Sequence, residues 1–292
     1  MTLLTYNAQA NKEDLSDVIT NISPYDTPLY SLFGKAKASS TVHEWPEEEL
    51  RNPKDNAAVE GADYSFDDAH APVRKQNYTQ IFVQGYSVSK TQEAVDKPGQ
   101  KSNLARSLVL AMRELGTDIE YAYINNTAAV AGNATTARKT GGVQAQIVTN
   151  VLDNGGTARQ LTEELFNDGM QAAWDAGGRP DTAVVCGKHK RVISGFAANS
   201  NRMIDAKDKE LVLTVDIYQG DFGRVAIIAD RWMPTDRLFI LEKERWKTAY
   251  LRPPKKEKAP EGMADKVSGV VVAELCLEGR AEKANAIIKD LS

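Results

Sequence analysis

Residues 40–90 constrain this chain more than any other part of it. Two strand-forming runs, 40–45 and 77–89, enclose a tract that cannot form a core. From 44 to 70 it carries nine acids (Glu44, Glu47, Glu48, Glu49, Asp55, Glu60, Asp63, Asp67, Asp68) against two bases, Arg51 and Lys54. Nine minus two leaves seven negative charges, more than the surplus of four for the whole chain. So polar a tract has too few aliphatic side chains to fold on itself. Loops longer than about 15 residues without structure of their own are uncommon in compact domains unless they serve a function. The run 77–89 holds Tyr78, Ile81, Phe82, Val83, Tyr86 and Val88, and at about 3.3 Å per residue it would reach about 40 Å. The pattern predicts a long hairpin with a polar tip that projects and lies on a partner.

The segment before the hairpin is apolar in an unusual way. Residues 12–20 (KEDLSDVIT) read as a short helix, with Asn11 as its cap and acids in the first turn. A second short helix has Thr27 as cap, Pro28 at its first position and Gly34 at its end. They carry Leu15, Val18, Ile19 and Ile22, then Leu29, Tyr30, Leu32 and Phe33. Two small helices cannot bury so much apolar surface on each other. They need another surface, either the body of the chain or a neighbouring subunit.

The clearest helix spans 102–126. Leu104, Leu108, Ala111, Leu115, Ile119 and Ala122 recur at spacings of three and four, and Ser102 can cap the start. At 1.5 Å per residue the rod is about 36 Å long, with Gly116 as its weak point. The glycine-rich stretch 128–146 reads as loops. Thr162 caps a helix through Leu165, Phe166, Met170, Ala173 and Trp174, stopped by Gly177, Gly178 and Pro180. A strand at 182–186 leads into a helix at 189–198, and strand-like runs follow at 211–218, 224–229, 237–242 and 268–277. The proline- and charge-rich 252–266 reads as a loop, and 281–291 reads equally as strand or helix. The class is α+β, in one large or two modest domains.

Composition excludes several functions. Hydrophobic residues make up 42% and charged residues 26% of the 292 residues, enough for a sizeable core. A net charge of -4 argues against a dedicated nucleic-acid binder and leaves room only for weak contact with DNA through a local patch. Such patches are Lys188, Lys190, Arg191 and Lys255, Lys256, Lys258, each read first as a solvated or inter-subunit face. No apolar run of about 18 residues predicts a membrane span. The N-terminus shows no secretory signal, so folding in the cytoplasm is expected, and Met1 predicts that no large pro-segment was removed.

Chemistry is as sparse. The three histidines, His43, His70 and His189, lie at no metal-ligand spacing. Cys186 and Cys276 sit in apolar runs and read as small buried hydrophobes. Cys186 and His189 invite a nucleophile–base assignment, but the strand-to-helix junction should point the thiol into the core and the imidazole outward. Glu47, Glu48 and Glu49 are adjacent on an exposed hairpin and cannot converge as catalytic carboxylates. Asp221-Phe222-Gly223 matches the kinase metal-binding tripeptide without any companion motif. No phosphate or dinucleotide loop is present. The expectation is a protein with no catalytic role, no cofactor and no metal.

Several stretches carry a resemblance: 11–45 (NKEDLSDVITNISPYDTPLYSLFGKAKASSTVHEW), VEGAD at 59–63, NYTQIF at 77–82, VSKTQEAVDKPG at 88–99 and AGNATTARKTGG at 131–142. They are similar to the major head (capsid) protein family of tailed bacteriophages typified by coliphage SU-ten, densely over the first half and more loosely beyond. The run through Pro24 and Pro28 into Gly34 is its most specific piece. The resemblance implies the Hong Kong 97-like capsid fold, with N-arm 1–39, extended loop 40–90, peripheral domain 91–149 with a spine helix at 102–126, axial domain 150–250, and a return to the peripheral domain over 251–292. It implies a homo-oligomer of pentamers and hexamers in an icosahedral virion shell around double-stranded DNA, assembled in the host bacterial cytoplasm. Portal protein and possible separate scaffolding and decoration proteins are the implied partners, since no long scaffolding extension precedes the N-arm.

In such a shell Leu29, Leu32 and Phe33 would bury against a neighbour. Trp45, Tyr78 and Phe82 would contact it along the hairpin. The tip acids Glu47, Glu48 and Glu49 would meet a basic patch, Arg74 and Lys75 or residues 255–258 of another copy. Competing readings are an encapsulin-like cellular compartment, another phage assembly protein such as a tail-tube subunit, which lacks a spine helix, and an α+β enzyme using Cys186 and His189.

Overall fold

The computed structural model describes residues 26–51, 53–61, 63, 71–95, 102–196, 216–258 and 264–292. The helix expected over 12–20, the acids Asp67 and Asp68, and the start of the run 211–218 lie outside them. The described chain opens with α1 (Pro28–Leu32), β1 (Gly34–Lys37) and β2 (Val42–Glu47). It returns in β3 (Val73–Tyr78), β4 (Gln80–Ser89) and α2 (Lys90–Ala94). Next come α3 (Asn103–Asn125), α4 (Val143–Gln146), β5 (Val151–Leu152), α5 (Glu163–Asp175), β6 (Thr182–Val185) and α6 (Gly187–Phe196). The last third is β7 (Asp216–Gly220), β8 (Gly223–Ala229), β9 (Leu238–Leu241), β10 (Trp246–Lys258), β11 (Lys266–Gly279) and β12 (Ala286–Ile288).

The strands form two main sheets. A four-stranded sheet runs β1-β10-β11-β4, and a six-stranded sheet runs β5-β12-β9-β6-β8-β7. Helix α3 lies on the first, where Ala111, Leu115, Ile119 and Tyr123 meet Phe82, Val271, Ala273 and Leu275. Ser102 accepts a hydrogen bond from the Ala105 amide at 3.2 Å, the cap the sequence predicted. Helix α5 covers one face of the six-stranded sheet through Phe166, Met170 and Ala173 against Ala183, Val185, Ile240 and Ile288. The alternate residues Val184, Phe239, Leu241 and Ile287 face the other way and join the core under α3. Strands β6 and β9 are thus buried on both faces, which is why they read as unbroken apolar runs.

Three expectations change. The strand expected over 77–89 is two strands broken at Thr79. β3 pairs with β2, from Val42↔Tyr78 to Glu47↔Val73, whereas β4 pairs with β11. The ladder changes partner because Asn77 and Thr79 are buried polar residues anchored to the body, so the chain cannot run straight past them. The paired arms of the hairpin are therefore 42–47 and 73–78, where 40–45 and 77–89 were expected. Second, much of 252–266 is strand. Pro253 and Pro254 fall where the β10–β11 register shifts, and β1 pairs with β10 only from Gly34↔Lys247 to Lys37↔Tyr250. Beyond Tyr250 no described strand pairs with the outer side of β10, and neither proline has a register partner in β11, so a missing N–H breaks no ladder bond there. Third, 251–292 is shared between the sheets. β10 and β11 lie in the four-stranded sheet, but β12 pairs with β9 and β5 in the six-stranded one.

Helix α1 also departs from expectation. Thr27 makes no side-chain cap. Glu120 of α3 does so instead, accepting the amides of Leu29 at 2.7 Å and Tyr30 at 2.8 Å. Five residues are too few for a stable free helix, so α1 exists because α3 holds it.

Candidate assembly surfaces

The hairpin β2–β3 is fixed to its own chain at the root. Asn77 is the pivot: its amide nitrogen lies 2.6 Å from the Leu277 carbonyl and 3.1 Å from that of Gly141, and its oxygen accepts the Gly141 amide at 2.8 Å. His43 bonds Glu278 at 2.8 Å, and Arg280 holds the other side of that carboxylate. Burial pushes the Glu278 carboxyl up, but the hydrogen bonds and charges of His43 and Arg280 outweigh it and leave its pKa below the ordinary value.

Several residues expected at a subunit interface are instead engaged within the chain. Leu29 and Phe33 are 0% and 4% exposed, Phe33 stacking on Trp246 with ring centroids 5.6 Å apart. Phe82 is buried under α3. A side chain already out of water gains nothing from a neighbour, so these three serve the subunit's own core. Their apolar character signalled burial, but only the contacts reveal against what. Trp45 is also buried, its indole donating to Glu47 at 3.1 Å, and Glu47 accepts the Ala281 amide at 2.8 Å. Glu49 bonds Lys283 at 2.7 Å. Arg74 pairs loosely with Glu44 at 3.8 Å, and Lys75 lies near Glu282. Leu32 and Tyr78 are half-buried, and Glu48 is exposed.

Beyond the root the hairpin lies open. Leu50, Val59 and Val73 are 92%, 81% and 61% exposed. A second open element is the far end of β10, where Lys255, Lys256 and Lys258 are exposed and make no ion pair among the described residues. At its base Arg252 and Arg138 grip the buried Glu274 at 2.9 and 2.7 Å. The outer face of α3 shows Val109, Met112 and Tyr121.

The one candidate for chemistry takes an unexpected form. His189 points inward, not outward. It is 1% exposed and its Nε2 donates to the Thr235 carbonyl at 2.6 Å. It lies on the first turn of α6, and packing against the 230–235 loop decides its direction. No group of three or more His, Cys, Asp and Glu among the described residues could hold a metal. No helix among them is long and apolar enough to cross a membrane.

Comparison with known proteins decides the family. Residues 2–292 match the family model described as SU10 major capsid protein. The chain belongs to the SU10 major capsid protein family. It is similar to the major capsid protein of Escherichia phage Phieco32, 25% identical, with 90% of each chain covered. Among solved structures it resembles the cyanophage A-1(L) capsid asymmetric unit, with a TM-score of 0.69 at 13% identity over 98% of both chains. The capsid of an empty GTA particle superposes with a TM-score of 0.66 at 13% identity, over 99% of this chain and 98% of that one. The fold is the Hong Kong 97-like capsid fold. The SU10 capsid family makes this chain a major capsid protein of tailed phages, a component of an oligomeric virion shell. Compartment-shell and tail-tube readings are not favoured.

The residues of this chain that its sequence did not single out are buried polar ones: Asn77, Glu120, Glu274 and Glu278. One signal pointed to Glu120, a carboxylate beside Ile119 on the most periodic helix. The rest stand in strand runs whose partners are distant in sequence.

Proposed function

We propose that this capsid protein assembles into pentamers and hexamers of an icosahedral head around double-stranded DNA, each subunit laying hairpin β2–β3 over its neighbour. The observation that carries the reading is the hairpin itself, bonded to its own body at the root while Leu50, Val59 and Val73 stand in water. Contacts that pair one surface with a different one close into rings about an axis, and obligate interfaces of this kind bury more than about 2,000 Å². Glu48 and the neighbouring tip acids meet Lys255, Lys256 and Lys258 of another copy, which make no ion pair among the described residues. Arg74 and Lys75 are the weaker candidates because acids of their own chain already face them. Charge complementarity of this sort fixes register more than strength. Leu32 and Tyr78, half-buried, are completed by the neighbour. The shell is not catalytic. It takes a portal protein and separate scaffolding or decoration proteins as partners, touches packaged DNA weakly, and assembles in the host cytoplasm.

The test is negative-stain microscopy of the wild type and of Lys255→Glu/Lys256→Glu/Lys258→Glu. The wild type forms shells and the variant remains as small oligomers, with thermal unfolding changed by no more than about 0.5 kcal/mol because the sites are exposed. Normal shells from the variant would refute the pairing.

A further inference from the structure

We propose that Glu120 and Asp230 share a single proton, and that this pair latches helix α1 to helix α3 and lets it go when the proton is lost. Glu120 is 0% and Asp230 1% exposed. Asp230 Oδ1 accepts the Trp232 amide at 2.8 Å, but its Oδ2 is buried with no donor. The Glu120 carboxyl lies against that of Asp230. Two carboxylates are both acceptors, so the contact is a hydrogen bond only with a proton between them, and a repulsion without one.

The charged and titratable surroundings favour keeping that proton. On the α1 side stands Asp26, whose negative charge acts on Asp230 and is partly answered by Arg231 at 3.5 Å, exposed to solvent. Tyr30 offers its amide to Glu120, while its hydroxyl meets Tyr250 of β10 at 2.9 Å. Tyr123, also on α3, bonds Thr248. No cation reaches either carboxyl among the described residues. Burial, then the Asp230 charge and hydrogen bond, hold the Glu120 pKa up at about 8 despite the Leu29 and Tyr30 amides.

Glu120 carries the amides of α1, so its protonation state governs the seat of that helix. The sign follows from linkage. The docked state holds the proton more tightly than the released state, in which water reaches Glu120 and the burial that is the main cause of its raised pKa is relieved. Docking is therefore full at acid pH and weakens as pH rises, by about tenfold per pH unit up to about 8. Above that both states are ionised and the loss levels off.

Amide hydrogen exchange of the full-length protein tests this, read at residues 28–33 from pH 6 to 9 after correction for intrinsic exchange, with α5 as the internal reference. In the wild type, protection at 28–33 falls about a hundredfold between pH 6 and 8 relative to α5, then flattens. Glu120→Gln supplies a permanent donor to Asp230 but only one oxygen for the two α1 amides, so its protection at pH 6 is lower than that of the wild type and nearly independent of pH. Asp230→Asn supplies the donor from the other side and flattens the profile too, which keeps the test decisive if one variant fails to fold. A wild-type profile parallel to that of α5 would overturn the proposal, as would variants that lose protection but keep the wild-type slope.

Discussion

Asn77 and Leu277 are joined by a 2.6 Å hydrogen bond across 200 residues of sequence, and this bond sets where the hairpin leaves the body. Asn77 is 1% exposed, and its side chain answers three separate segments: β11, the 140–141 turn and its own neighbour Tyr78. Replacing it with Ala strands the Gly141 amide in a buried site and leaves the Leu277 carbonyl to the Gln146 side chain, which donates to it at 3.0 Å. Asn77→Ala should lose about 2–4 kcal/mol in chemical denaturation. Exchange at β2 and β3 should rise more than at α5.

Leu29 gives a second test. It is fully buried among Tyr123, Trp246 and the sheet beneath α3. Leu29→Ala should cost about 2–5 kcal/mol, the range for a leucine whose site cannot collapse. A deletion that reaches residue 34 removes Leu29 and Phe33 together, so it should yield unfolded or aggregated protein, not a soluble subunit that merely fails to assemble. Calorimetry of the point variant and size-exclusion of the truncation check both.

The hairpin root responds to acid. Glu278 has a lowered pKa in the folded state, so the stabilisation it brings is present above the ordinary carboxylate range and is lost as pH falls through the folded value. Glu278→Gln should cost about 1–2 kcal/mol at pH 7 and much less at pH 3, measured by denaturant titration at both. The Glu120 pair runs the opposite way, since its folded pKa is raised.

Gly142 closes the C-terminal end of α3, its amide donating to the Asn126 carbonyl at 3.1 Å. An added Cβ would lie 2.5 Å from the Tyr123 carbonyl oxygen and 2.9 Å from those of Ala122 and Asn126. Backbone atoms cannot yield as a flexible side chain can, so Gly142→Ala should destabilise by about 2 kcal/mol or more. A fall in thermal midpoint without a change of fold by circular dichroism is the expected readout.

Local patterns carried much of this architecture in the sequence. The spacing of Leu108, Ala111, Leu115 and Ile119 defined helix α3, with Ser102 as its cap, because helical periodicity and capping depend on residues within one or two turns. The unbroken apolar runs of β6 and β9 announced strands buried on both sides. The acidic tract announced a segment with no core of its own.

What the sequence determined by itself is therefore the longer helices, the strands buried on both faces, the family and the existence of a hairpin, since each rests on neighbouring residues or on a recognisable string. Only the tertiary structure decided that the strand breaks at Thr79, that Pro253 and Pro254 sit within β10, that His189 faces inward, and that Leu29 and Phe33 belong to the subunit's own core. The reason is the same in each case. Burial and hydrogen-bond satisfaction are settled by partners 46 to 200 residues away, and no local pattern encodes which distant group will fill a vacancy.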